Sequence, residues 1–555
     1  MKKYFKINKN LSVEKFTYLF EIEKQKNKKI KLAIKFDKKN KIVGVISLGD
    51  IRRLIFRRKN KDNIFDHLNK KPYILNLTIN HKEIHSYESS LKKIINEKIE
   101  NVLIIKNNKL INILSYDEIQ NDLDYSTICV VGLGHIGLPL ALHILKKKEF
   151  LIGYDKNDAH IKSISNNNVN FYEKGLNTLL NYNLNQKKIY LSSKLKKINS
   201  NIYIVCLGSE FENNKVNNQN INNILISIGK KIYKNNLILL RGTTQVGYTY
   251  KIAKKILEKY SNLKCGKDFF LGHIPERIVE GNALIELEKL PQIISGVTPE
   301  CLSHVMNFTK RFFSKVVETD TTEESEIIKL TSNAYRDLNF AFANEISRIA
   351  NSYNLSGFNL IRKANLGYPR NNIDKPSLGV GGYCLPKDVF LFKNSLDKNK
   401  GYNLSISREI NQKTVKRIST KIINIFKKNL SIKDKILIMG ATFKGLPENI
   451  DMRNSPSLEL SNILKRNKIN YKLFDVMSNQ ILKKNNSKNL KFVKENEIKK
   501  FKFLVIANNN PKYGDIFLNQ FSDKKKNKFN RIIFDCWDML DKSVCESAGF
   551  KYFNI

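Results

Sequence analysis

Cys384 stands at the sixth place of Gly379-Val-Gly381-Gly382-Tyr383-Cys384-Leu-Pro-Lys387-Asp388. A thiolate is a potent nucleophile, and a nearby cation in a polar pocket is what lowers a thiol's pKa and activates it. Lys387 and Asp388 supply charge close by, and the glycines let the backbone turn sharply and approach a ligand. The segment is a candidate for covalent catalysis on a substrate held against a glycine-rich turn. A glycine turn around an ordinary buried cysteine is the competing reading, since free cysteine is among the most buried residue types.

A second constellation is Gly132-Leu-Gly134-His135-Ile136-Gly137, between the apolar strand Ile128–Val131 and a helix running through Leu145. That context makes GxGxxG a dinucleotide fingerprint. The first glycine makes the tight turn and the second admits the pyrophosphate. The third allows close helix packing, and the helix N-terminus faces the phosphates. Asp155 ends the next strand and suits the adenine-ribose hydroxyls. A carboxylate there repels a 2′-phosphate, so NAD is expected over NADP, with Lys156 the residue that speaks against it.

The elements that must position these groups follow from the pattern. Residues 1–123 repeat imperfectly: strand 31–37, turn at Lys39-Asn40, strand 42–46 and a helix opening at Ser47-Leu-Gly-Asp50. The second copy runs as strand 101–105, turn Asn107-Asn108, strand 110–114, then Ser115-Tyr116-Asp117. From Thr127, strands at 128–131, 151–155, 202–207, 237–240 and 269–272 alternate with helices, which implies a doubly wound parallel sheet. A helical stretch spans about 323–428, and a second strand–helix alternation begins at Lys435, with strands at 471–474, 503–507 and 531–534. The expected units are 1–123, 126–322, 323–428 and 430–555, since 555 residues exceed what one core supports.

Composition narrows the classes. The seven cysteines are scattered and never form CxxC, which argues for a reducing compartment and against zinc or a disulfide framework. Neither a membrane span nor a signal-peptide pattern is read, so a cytoplasmic protein is expected. The formal charge of +45 is spread along the chain with abundant Asn and Ile. That follows from A/T-rich coding as readily as from nucleic-acid binding, which is not expected. A cationic surface still attracts an anionic substrate.

Six ordered motifs over residues 126–555 resemble the UDP-glucose/GDP-mannose dehydrogenase family of nucleotide-sugar 6-dehydrogenases. They are Val131-Gly-Leu-Gly-His-Ile-Gly-Leu-Pro139, Gly242-Thr-Thr-Gln-Val-Gly247, Pro275-Glu-Arg-Ile-Val-Glu-Gly-Asn282, Lys329-Leu-Thr-Ser-Asn-Ala-Tyr-Arg336, the cysteine loop, and Phe443-Lys444 with Asp451-Met-Arg-Asn-Ser-Pro456. The resemblance implies an NAD-binding Rossmann domain, a central helical dimerisation domain and a C-terminal Rossmann-like domain that binds UDP. It also implies a four-electron oxidation of a primary alcohol to a carboxylate without release of the aldehyde. In that scheme Cys384 forms a thiohemiacetal and then a thioester. Lys329 stabilises the alkoxide and oxyanion, Asn333 donates a second hydrogen bond, and Asp388 assists proton removal through water. Glu276 is the acid/base of thioester hydrolysis, Glu280 orients the site and Thr243 helps hold the catalytic water. Gly381 and Gly382 border the substrate, and Lys444 and Arg453 reach anionic groups of bound ligands, with an internal salt bridge the alternative for Arg453.

Three segments resemble the branch acting on UDP-N-acetylhexosamines: Pro275-Glu-Arg277, Asn333–Asn339 with Arg336, and the glycines before Tyr383. UDP-N-acetylglucosamine or UDP-N-acetylmannosamine is therefore the expected substrate, with UDP-glucose the alternative. The first 123 residues resemble a tandem pair of CBS domains, in which Ser47 and Asp50 match a ribose-phosphate pattern for an adenine nucleotide; a purely structural or dimerising pair is the alternative. A homodimer or larger homo-oligomer through the central helix is expected. The chain departs from the family pattern at Ser209-Glu210, Lys174 and His135. A nucleotide-sugar sensor with little turnover and a two-electron dehydrogenase that does not need Cys384 are the competing functions.

Overall fold

The computed structural model describes residues 3–76, 90, 93–94, 97, 99–106, 109–114, 126–148, 150–212, 215–395, 402–485, 490–521 and 531–555. The turn Asn107-Asn108 and Ser115-Tyr116-Asp117 lie outside these. Among the described residues no helix is long and apolar enough to cross a membrane.

The N-terminal repeat is present in the backbone. Strands Tyr4–Lys6, Leu32–Phe36 and Ile42–Ser47 form one sheet, and Ile74–Asn76, Val102–Lys106 and Lys109–Leu114 form another. In each, the first strand is parallel to the second and the second antiparallel to the third. Each hairpin slips register near its turn, after Lys35 and after Ile104. Leu32, Ile34 and Val45 of the first sheet pack against Leu103 and Ile113 of the second, so the copies share a core. Ser47 caps the helix Leu48–Phe56: its Oγ accepts the Asp50 N–H at 3.2 Å while Asp50 accepts the Ser47 N–H at 2.9 Å. Arg53 donates to the other Asp50 oxygen. The Ser-x-x-Asp spacing is thus that of a capping box, which closes two orphan amides locally.

The next sheet has eight strands, in the order Val316–Glu318, Gln292–Gly296, Phe270–His273, Leu237–Leu240, Ile202–Val205, Ile128–Val131, Leu151–Tyr154 and Ile189–Ser192. Its inner strands are apolar on both faces because helices cover both sides. The strands expected from the sequence run parallel to one another; Gln292–Gly296, added beyond them, runs antiparallel to Phe270–His273. The chain order reverses between Ile128–Val131 and Ile202–Val205, so a crevice opens beyond their carboxyl ends.

Helix Thr322–Ser352, capped by Thr321, leads out of this domain and packs along Cys384–Lys393 and Tyr402–Asn429. A second, all-parallel sheet follows, in the order Tyr471–Phe474, Ile436–Met439, Phe503–Ile506, Arg531–Asp535 and Phe550–Asn554. Its first turn repeats that of the larger sheet without the full glycine signature. Gly440 sits at φ +105° and donates to the Phe474 carbonyl at 2.8 Å, as Gly132, at φ +90°, donates to Tyr154 at 2.7 Å.

Candidate active site

The glycine loop has the shape a dinucleotide pyrophosphate needs. A Cβ on Gly137 would lie 1.7 Å from the Gly132 carbonyl oxygen, so the helix Gly137–Ile144 can pack there only without a side chain. A Cβ on Gly134 would meet nothing within 4 Å, which leaves that face of the loop open to a ligand. His135 and Ile136 form the turn into the helix. Asp155 accepts the Leu133 N–H at 3.0 Å and the Asn157 N–H at 3.0 Å, fixing the loop against the second strand. Lys156 is turned aside. Its Nζ donates to Asn220 Oδ1 at 2.8 Å, and the Asn220 amide donates to Glu210 at 2.7 Å. The cation that argued for NADP is therefore spent on an amide, and the residues present fit NAD.

Cys384 is the first residue of its helix, and Asp388 lies one turn on, facing Thr322–Ser352. Asn333 donates to Asp388 Oδ2 at 2.6 Å, with Lys329 Nζ 4.0 Å from the same oxygen. Lys387 Nζ lies 2.8 Å from Oδ1. Asp388 is 1% exposed, so its charge is held by two ammonium groups and an amide rather than by water. The i, i+4 pair Lys329 and Asn333 thus converges with Asp388, one turn from the cysteine.

The thiol itself departs from the sequence expectation. Cys384 reaches the surface of the cleft, yet the protein packed around it raises its pKa. Desolvation is the largest cause and the Asp388 carboxylate adds to it, while Lys329 and Lys387 only partly oppose. Lys387 was expected to activate the sulfur; it is committed to Asp388. A raised thiol pKa means that Cys384 stands protonated at neutral pH.

Glu276 is also buried, at 4% exposure. Its Oε1 accepts the Arg277 and Ile278 N–H groups at 2.8 and 2.9 Å, and its Oε2 pairs with the guanidinium of Arg241. Arg241 is 1% exposed, donates to Gln292 at 3.1 Å and lies over the Phe313 ring. Sequence reasoning missed Arg241 entirely. Thr243 follows it by two residues, where its carbonyl accepts the Ser209 N–H at 2.8 Å, at the edge of the dinucleotide crevice. Glu280 lies 3.2 Å from His135 Nδ1, which ties the glycine loop to the Pro275–Asn282 segment.

Lys444 reaches across from the C-terminal sheet and donates to the Glu280 carbonyl at 2.8 Å. Burial pushes its pKa down to about 8. A cavity of about 410 Å³ lies alongside, lined by Arg336, Gly381, Phe443, Lys444, Asn509 and Trp537. The last four follow the carboxyl ends of the C-terminal strands, where α/β sheets bind ligands. Asn509 and Trp537 carried no motif signal, although Trp537 is the chain's one tryptophan. Gly382, at φ +81°, lies under the Phe443 ring, and a Cβ on Gly381 would come within 2.6 Å of the Asn454 carbonyl. Both glycines are required by the approach of the C-terminal domain. Arg453 takes the alternative reading: it forms a forked pair with Asp451, Nε–Oδ2 2.9 Å and Nη2–Oδ2 2.7 Å, and lies over the Tyr383 ring at 5.1 Å.

Known proteins are similar to most of this chain. Models of the UDP-glucose/GDP-mannose dehydrogenase family match residues 126–314 (NAD binding domain), 323–413 (central domain) and 437–542 (UDP binding domain). The UDP-N-acetyl-D-mannosamine dehydrogenase of Campylobacter jejuni is 32% identical over 348 residues, 60% of this chain and 83% of that protein. The structure of UDP-D-ManNAc dehydrogenase from Pyrococcus horikoshii matches with a TM-score of 0.68 at 25% identity, over 77% of this chain and 99% of that one. The UDP-N-acetyl-mannosamine dehydrogenase Cap5O from Staphylococcus aureus matches with a TM-score of 0.64 at 26% identity, over 77% and 98%. The family's three domains follow one another along this sequence in order, and the chain belongs to the UDP-glucose/GDP-mannose dehydrogenase family of NAD-dependent oxidoreductases.

Proposed function

We propose that the protein oxidises C6 of a UDP-N-acetylhexosamine, UDP-N-acetylmannosamine foremost, to the uronate in two steps at one site. The observation that carries this is the convergence of Lys329, Asn333 and Asp388 on the helix that begins at Cys384. The substrate follows from Arg336 in the cavity wall and from relatives named for that sugar.

Gly132–Gly137 and Asp155 would hold NAD, which would supply the hydride acceptor for each oxidation. Asp388, acting through water, receives the hydroxyl proton, and Lys329 and Asn333 hold the oxygen as its charge grows. Donors of this kind are worth about 3–4 kcal/mol each. Cys384 then adds to the aldehyde: the S–C bond forms and the thiol proton passes to the carbonyl oxygen. A neutral thiol suits this step because it brings its own proton. After the second oxidation the sugar is a thioester on Cys384. Glu276, positioned by its pairing with Arg241, takes a proton from the attacking water; the C–S bond breaks and the sulfur regains a proton as the acid leaves. Lys444 neutralises the diphosphate in the cavity, and the C-terminal domain supplies the uridine site.

The test is NADH formation with UDP-N-acetylmannosamine, UDP-N-acetylglucosamine, UDP-N-acetylgalactosamine and UDP-glucose. The highest kcat/KM is expected for UDP-N-acetylmannosamine; no NADH from any of the four would favour a sensor.

We infer further that the chain is a homodimer. Tyr335, Leu338, Phe342, Ile349 and Tyr353 recur at three-, four- and seven-residue spacing on the long helix and are 41–73% exposed. An apolar stripe of this kind marks an interface. Phe342→Glu is expected to give monomers by light scattering; an unchanged mass contradicts the assignment. We propose that the N-terminal repeat is a CBS-type pair, a reading its duplicated sheet order supports. Because Ser47 and Asp50 are spent on each other, a structural role is favoured over adenine-nucleotide binding, and calorimetry with ATP, ADP and AMP separates the two.

A further inference from the structure

Two thiols outside the catalytic cleft stand in contact. Cys265 Sγ and Cys301 Sγ are 3.8 Å apart, the first half-buried and the second fully buried. Both are held by short-range structure. Cys301 lies in the first turn of helix Pro299–Phe312, its N–H donating to the Thr298 cap at 3.2 Å and its sulfur accepting the Leu271 N–H at 3.4 Å. The Cys265 N–H donates to Glu258 at 3.2 Å. The turn at Gly266, φ +84°, is pressed against Thr298 so closely that a Cβ would come within 2.7 Å. The turn and the helix cap thus present the sulfurs to each other. From 3.8 Å, bonding requires an approach of about 1.8 Å, since a disulfide holds its sulfurs near 2.05 Å.

We propose that Cys265 and Cys301 form a redox-active dithiol, a reactive-thiol site separate from Cys384, that takes a hydroperoxide as oxidant and closes to a disulfide. The charge needed for attack is available. The hydrogen bond from Cys265, together with the Thr298 and Leu271 contacts, holds Cys301 at about 6 against the opposing effect of burial. The pair therefore sheds one proton near neutrality, and the charge rests on Cys301, because the same hydrogen bond and burial raise the Cys265 pKa. Cys265, the less buried of the two, passes its proton to the Cys301 thiolate across the S–H···S contact as it attacks the peroxide. The S–O bond forms, the O–O bond breaks and the leaving oxygen departs as water or alcohol, giving Cys265 sulfenic acid. Cys301 then attacks that sulfur; the S–S bond forms, the S–O bond breaks and water leaves. Two thiols and one hydroperoxide give one disulfide, one water and one alcohol, or a second water when the oxidant is hydrogen peroxide.

The link would tie the two ends of the segment that contains strand Phe270–His273, Glu276, Glu280 and strand Gln292–Gly296. Closing a loop of this length stabilises mainly by restricting the unfolded chain, so the oxidised protein is expected to melt several degrees higher. The decisive experiment treats the reduced full-length chain with one equivalent of hydrogen peroxide, blocks free thiols with N-ethylmaleimide and maps peptides by mass spectrometry. A cross-linked peptide joining Cys265 to Cys301, reversed by dithiothreitol and absent in C265S, is expected. Recovery of both residues as alkylated thiols, or cross-links to other cysteines only, would overturn the proposal. The wild-type map suffices even if the variant folds poorly, and neither readout depends on the sugar substrate.

Discussion

Replacing Asp388 by Asn tests the electrostatics of the nucleophile without invoking turnover. The carboxylate is one of the two largest influences raising the Cys384 pKa. Residues four apart on a helix stand about 6 Å from each other. At an effective dielectric constant of about 20, two unit charges at that distance interact by about 2.8 kcal/mol. Asn keeps the shape and removes the charge, and Lys329 and Lys387 are then opposed only by burial and Glu280. The midpoint of the pH dependence of Cys384 alkylation by iodoacetamide, followed by peptide mass spectrometry, should fall. At neutral pH the thiol becomes more reactive while sugar oxidation is lost, because the proton acceptor has gone. An unchanged or higher midpoint would refute the reasoning, since it would mean that the carboxylate does not act on the sulfur. The substitution also strands two lysines with side chains 13% and 7% exposed. A stability loss of about 3–5 kcal/mol is expected from breaking a buried pair, measurable by urea unfolding.

Three further outcomes follow from the geometry. Glu276→Gln should release two NADH per site in a burst and then stall as an acyl-enzyme on Cys384; steady turnover near the wild-type rate would remove Glu276 from the hydrolytic step. It should also lower Tm, because Arg241 loses its buried counter-charge. Lys444 is charged below about 8 and neutral above it, so KM for the UDP-sugar should rise as pH passes upward through 8. Lys444→Met should raise KM about 10- to 100-fold at pH 7 and flatten that rise, and an unaltered pH profile would count against the assignment. Glu326 is held at about 7 by burial although it accepts bonds from Gly247 and Thr249. Its folded pKa lies above the unfolded value, so its contribution to stability is complete below about pH 4.5 and is lost as pH rises through 7. Glu326→Gln should weaken that pH dependence between 4.5 and 7 in denaturant titrations.

The groups that announced themselves in the sequence are those whose roles depend on backbone or on local spacing. Gly132 and Gly137 are legible because their turn and contacts suit only glycine, and Gly134 because it leaves its face of the loop open to a ligand. Lys329 and Asn333 are legible because four residues on a helix define one face. Groups whose behaviour depends on remote partners were not. Arg241 meets Glu276 only because neighbouring strands end side by side, and nothing in the spacing announces it. Lys387 was read as the activator of Cys384, but three-dimensional packing gives its charge to Asp388. The Ser47–Asp50 pattern shows the reverse failure: a ligand motif and a helix capping box share one spacing, and the hydrogen bonds here are those of the cap. The antiparallel strand Gln292–Gly296 reads Gln-Ile-Ile-Ser-Gly, too short and mixed to mark a strand, and nothing in it signals direction.

The central claim is that Cys384 holds the sugar between its two oxidations, and stoichiometry with intact-mass analysis of quenched turnover tests it most directly. The account predicts two NADH per UDP-N-acetylmannosamine consumed, a glycosyl adduct on Cys384, and no aldehyde trapped by added hydroxylamine. One NADH per sugar, with the free aldehyde trapped in solution and Cys384 never modified, would contradict it.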